Sequence, residues 1–143
     1  MNIKGVWNLN YSIWFLRISV LWFLFGIGFG EYASFTHVFD FTSVHVHMNL
    51  IGWVSMALMG VIYYLFPQAA NSALGKVHFW LITVCLPIMM GALYLTIKGN
   101  QFVAKYLAFT GTGVALAVLL FAINVWMNVK APQEVKKEEK EAA

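Results

Sequence analysis

The chain has 143 residues, of which 61% are hydrophobic and only 10% charged. A soluble domain is roughly half apolar and about a quarter charged, so too few charges are present here to cover a soluble globule, and the chain is too apolar for disorder. The net charge is +3, yet residues 18–30, 41–75 and 106–129 contain no Asp, Glu, Lys or Arg; with no basic stripe, nucleic-acid binding is excluded. A soluble enzyme is excluded on the same grounds, and a membrane protein is expected.

A spanning helix needs about 20 apolar residues, so the length holds four spans with short loops, in one domain. The first predicted span is about Tyr11 to Gly30, with Arg17 near its start and Gly26, Gly28 and Gly30 at its end. It is too long for a signal-peptide core and lacks the flanking signals. A linker from Glu31 to Val44 carries His37 and Asp40. The second span runs from about His45 to Phe66 and is closed by Pro67, because the residue before proline disfavours helix. Residues 68–75 read as a loop. The third span covers about Val77 to Ile97 with a kink expected at Pro87. The fourth runs from about Val103 to Val129, followed by a mixed-charge tail, Lys130–Ala143, expected to be disordered. The lone Cys85 excludes an intrachain disulfide.

Lysine and arginine set the predicted orientation. With four spans, Lys4, Lys76, Lys130, Lys136, Lys137 and Lys140 share one side, joined by Arg17 if it snorkels outward; Lys98 and Lys105 lie on the other. Both termini are therefore expected to be cytoplasmic. The start of the second span then faces outside.

Polar groups inside a membrane are functional candidates by default. Two histidines, His45 and His47, open the second span in HVHMNLIGW. Two residues of helix turn a side chain by about 200°, so the imidazoles point to nearly opposite faces. They suit two different sites, each with one axial histidine on haem iron or copper, better than one shared metal, which favours an i, i+4 pair. A structural reading stands beside this: histidines near a helix end sit at the headgroup level. His78, after the cytoplasmic loop, reads as an interface residue. Trp53 either packs a haem edge or fills the bundle. The methionines read as packing, Met48 excepted for its place beside the histidines. Gly26, Gly28, Gly60, Gly91, Gly111 and Gly113 are expected to permit close helix contact.

The string HVHMNLIGWVSMALMGVIYYLFP, residues 45–67, resembles the tenth helix of the catalytic subunit of haem-copper oxidases, and looks closest to the cbb-type. There a pattern like HVHxGALGW…G…Y…P recurs, with Gly52, Trp53, Gly60, Tyr63 and Pro67 in register. THVFDFTSV, residues 36–44, is similar to that family's loop into the helix, and KVHFWLIT, residues 76–83, to the start of the next. The resemblance implies that His45 and His47 each ligate a different haem; His37 either bonds a haem propionate, lines the site mouth or is a plain loop residue. It implies an all-α membrane fold equal to one four-helix arc of a twelve-helix, three-arc subunit. The copper-site histidine pair, the active-site tyrosine and the glutamate motifs of that family are missing, so oxygen reduction by this chain alone is not expected.

The resulting expectation is a homotrimer in a prokaryotic inner membrane, with b-type haem held between protomers by His45 of one copy and His47 of the next. It would serve electron transfer or gas binding, with quinol or respiratory-chain carriers as possible redox partners. Two alternatives stand: a cofactor-free accessory or assembly subunit of a respiratory oxidase, and an outer-side copper or zinc protein using His45, His47, His37 and Asp40.

Overall fold

A computed structural model describes residues 10–130; the expected disordered tail lies almost wholly outside them. Four long helices carry the fold: α1 (Tyr11–Thr36), α2 (Thr42–Leu65), α4 (Ala73–Ile97) and α5 (Gln101–Asn128), with a short α3 (Pro67–Asn71) between the second and third. No strand occurs among the described residues. The four long helices have 24 to 28 residues each. At 1.5 Å per residue each exceeds the roughly 30 Å hydrocarbon core. The protein is thus an all-α chain with four candidate membrane spans, as its composition required.

The helix ends follow from local chemistry. The Asn10 side chain caps α1 by accepting from the Ile13 amide at 3.3 Å. Ser72 caps α4 by accepting from Gly75 at 2.9 Å, and Asn100 caps α5 by accepting from Val103 at 3.2 Å. Each supplies an oxygen to amides that have no partner inside the helix.

The boundaries differ from the sequence reading at the connections. α1 continues past Gly30 to Thr36, because Tyr32, Ala33 and Phe35 sustain it until His37 adopts the left-handed conformation at its C-cap (φ 53). Helices commonly end on such a residue, though usually glycine. The predicted linker shrinks accordingly, and α2 starts at Thr42. Much of the expected 68–75 loop is helical, since Pro67 opens α3 and Ser72 then starts α4. Proline suits a first helical turn. α4 continues as one helix through Pro87.

α4 and α5 form the most extensive pair, and α1 lies along α2. Phe15, Val44, Met56, Tyr63, Ile82 and Leu86 fill the interior, with Met48, Met59, Met89 and Met90 packed among them. Large apolar side chains such as Leu24, Leu58, Phe109 and Trp126 face outward, as a lipid solvent permits.

One end of the bundle is locked by a polar cluster. The Tyr63 hydroxyl is hydrogen-bonded to Nδ1 of His78 at 2.9 Å and accepts from the Asn124 amide at 2.9 Å. The amide also donates to the Ala69 carbonyl at 3.0 Å, and its oxygen accepts from Ser72 and Asn128, each at 2.8 Å. His78 and Asn124 are both 0% exposed. His78 is therefore buried within the bundle, where it stacks on Phe15 with centroids 5.2 Å apart. Its position after a loop gave no sign of this burial, which follows from the face that the helix turns inward.

Asn124→Ala would strand several of these partners in an apolar interior. The expected loss is about 1–3 kcal/mol, read as a lower melting temperature in detergent; an unchanged melting temperature would show the cluster to be dispensable.

Candidate functional site: two opposed histidines at the head of α2

The site lies at the bundle end opposite the polar cluster. The HxH pair falls in the regular α-helical first segment of α2, Thr42–His47, so the expected divergence of the two side chains applies. His45 turns toward α1: its Nδ1 lies 2.8 Å from the Gly26 carbonyl. His47 instead bonds back along its own helix, with Nδ1 2.7 Å from the Ser43 carbonyl.

These two contacts fix the tautomers. A carbonyl oxygen only accepts, so each Nδ1 must carry the hydrogen. In a neutral imidazole so bonded, Nε2 keeps a free lone pair, the form that ligates a metal. Metal-binding histidines usually have their other nitrogen tied in this way. Both side chains are half-buried, so neither is sealed into the protomer's own core. The residues present thus fit axial ligation of haem, one histidine per face.

The approach of His45 to α1 depends on missing side chains. A Cβ on Gly30 would stand 2.9 Å from His45 Cε1 and 3.2 Å from its Nδ1. A Cβ on Gly26 would overlap the Asn49 amide, with Oδ1 only 2.7 Å away. Gly26 was expected to permit close contact and does so, as do Gly60 and Gly113; Gly28 and Gly91 have open space around them, and Gly111 meets Met89 only at ordinary contact distance. The sequence reading passed over Gly30, whose i, i+4 spacing from Gly26 was the available signal.

Directly after His47 the helix widens. Met48–Ser55 is wound as a π-helix, a form that recurs at functional sites. Ser55 Oγ donates to the Leu50 carbonyl, five residues back, at 2.7 Å, matching that winding. Gly52 receives the Trp22 side chain of α1, which stands where a Cβ would be. Nothing in the apolar pattern announced this segment, since the same residues could continue an α-helix.

The other candidates stand apart. His37 is exposed on the α1–α2 connection. Trp53, half-buried, stacks on Phe23 of α1 with ring centroids 3.7 Å apart. Met48 is buried in the core. The Arg17 guanidinium lies 5.3 Å over the Trp14 ring, toward the end away from His45. Among the described residues no three His, Cys, Asp or Glu side chains come together to hold a metal ion. The alternative copper or zinc site of His37, Asp40, His45 and His47 is therefore not assembled: the helix sends its two histidines to different faces, and the left-handed turn carries His37 into solvent.

Two apolar clefts open between α1 and α4 over α2. One, about 410 Å³, is lined by Phe25, Phe29, Phe41, Tyr94 and Lys98 among others. The next, about 320 Å³, is lined by Val44, Met48 and Met90 among others. Neither is lined by His45 or His47.

Comparison with known proteins gives the family. The chain is 27% identical over 111 residues to the cbb3-type cytochrome c oxidase subunit CcoN1 of Stutzerimonas stutzeri, covering 66% of this chain and 23% of that one. It is 33% identical over 115 residues to cytochrome c oxidase subunit 1 of Rhodobacter capsulatus, covering 67% and 21%. A cytochrome c oxidase subunit 1 homolog of Agrobacterium tumefaciens is 36% identical over 74 residues, covering 48% and 13%. The chain thus spans about a fifth of the length of the first two relatives. No family model matches it, and no solved structure does. With four candidate spans and these similarities, the chain is a relative of subunit I of the haem-copper oxidases.

Proposed function

We propose that this protein binds b-type haem between protomers of a homotrimer, with His45 of one copy and His47 of its neighbour as the two axial ligands. The observation that carries this reading is the placement of the histidines: both Nδ1 atoms lie on backbone carbonyls, which leaves Nε2 of a neutral imidazole as the ligating atom. Opposed faces prevent the pair from gripping one iron within a protomer. A closed ring repeats the same two faces at every interface, which is the usual solution for a homo-oligomer.

The chain's own residues have three tasks in this arrangement. The Gly26 carbonyl holds His45 in its ligating tautomer. The Ser43 carbonyl does the same for His47. The Gly26–Gly30 face of α1 makes room for the His45 ring. A haem with two axial histidines exchanges single electrons, whereas one with an open position takes up small gases. Saturating both axial positions favours electron transfer. The protein sits in a prokaryotic inner membrane with both termini cytoplasmic, which puts the histidines near the outer face. The test is the reduced-minus-oxidised visible spectrum of the purified protein, with its size in detergent. A low-spin b-type spectrum in a trimer that is inert to carbon monoxide supports the reading. A colourless protein or a monomer sinks it, and a colourless protein points instead to an accessory role in a respiratory complex.

A further inference from the structure

Between the His45 ring and α1 lies a second polar group. The Asn49 amide occupies the notch left by Gly26. Its Nδ2 donates to the His45 carbonyl at 2.9 Å and lies 3.5 Å from His45 Nδ1. The latter contact is not a hydrogen bond: Nδ1 already donates to Gly26 at 2.8 Å, and two N–H donors do not bond each other. The shorter distance decides the tautomer. Asn49 therefore touches His45 on its main chain and alongside its ring, at the point where α2 changes from α to π winding.

A polar amide on a membrane span needs a reason to be there. In the interior of an ordinary helix an Asn loses to Leu or Ala. Here the amide does two things that an apolar residue would not. It pins the His45 carbonyl across the change of winding. It also stands beside the imidazole, its Nδ2 3.5 Å from Nδ1, where it narrows the ring's path off the Gly26 carbonyl.

We propose that Asn49 is the positioning residue for His45, holding the imidazole with its Nδ1–H on the Gly26 carbonyl and its Nε2 outward as the ligating atom. The inference rests on the haem reading for its purpose, though its geometry can be tested without haem. Outer partners of metal-binding histidines typically change affinity 10- to 100-fold; the Gly26 carbonyl is that partner here, and Asn49 acts through it.

The deciding experiment is nitrogen NMR of the haem-free full chain with labelled histidine. Wild type is expected to show His45 only as the Nδ1–H tautomer. Asn49→Ala is expected to add the Nε2–H tautomer at His45 while His47 keeps its own signal. Should that variant fail to accumulate, Asn49→Leu, which keeps the volume against Gly26 but not the amide, carries the same readout. A His45 signal unchanged in the variant overturns the proposal, as does an equal change at His47, which would mean general loosening of α2. Haem titration then adds an expected loss of about tenfold in affinity for the variant. A wild type that takes up no haem removes the haem reading and leaves the tautomer result to decide the role of Asn49.

Discussion

His45→Ala and His47→Ala are each expected to empty the protein of haem. A directly ligating imidazole is worth more than any outer partner, so the loss in haem affinity should exceed about 100-fold. The spans should still form, because neither histidine belongs to the buried core, and His47 bonds only its own helix. The checks are the pyridine haemochrome assay for haem and helical content for folding. Equal losses from the two substitutions are what a shared site requires. A variant that lost one histidine and kept full haem content would show that the pair does not act on a common group.

The second large effect lies on α1. Gly30→Val would put a methyl-bearing Cβ about where the His45 ring stands, 2.9 Å from its Cε1. The ring can escape only by rotating off the Gly26 carbonyl, which releases the tautomer. A fall of roughly 10- to 100-fold in haem affinity is expected, the range for loss of a supporting hydrogen bond. Gly28→Val is the internal control. It lies between the two contact glycines in sequence, yet a Cβ there meets nothing within 4 Å. It should bind haem as the parent does. If both variants behaved alike, the Gly30 contact would have no part in holding His45.

Much of this is legible in the amino-acid sequence. The four spans followed from four long continuous apolar runs, since a helix of about 20 such residues spans the bilayer with its backbone bonds satisfied internally. The divergence of His45 and His47 followed from spacing, because a helix turns 100° per residue. The ends of the spans were less legible. An aromatic, hydroxyl-rich stretch such as 31–36 reads as linker by composition, yet it holds helix until His37. The partners of the histidines were out of reach for a different reason. That Gly26 offers its carbonyl and Gly30 its bare face to His45 depends on how α1 is rotated against α2. The low polarity of both helices leaves that rotation unmarked. The burial of His78 was hidden in the same way: its partners, Tyr63 and Phe15, come from two other helices.

The central claim is that one haem is held by histidines from two copies of the chain, and a mixed oligomer tests it most directly. Co-expressing His45→Ala and His47→Ala chains with different tags and purifying through both tags isolates rings that contain both variants. In every such ring one interface joins an intact His45 to an intact His47. Haem with a low-spin b-type spectrum should therefore return in the mixed protein although each variant alone is colourless. Mixed rings as colourless as their parents would contradict a site shared between protomers.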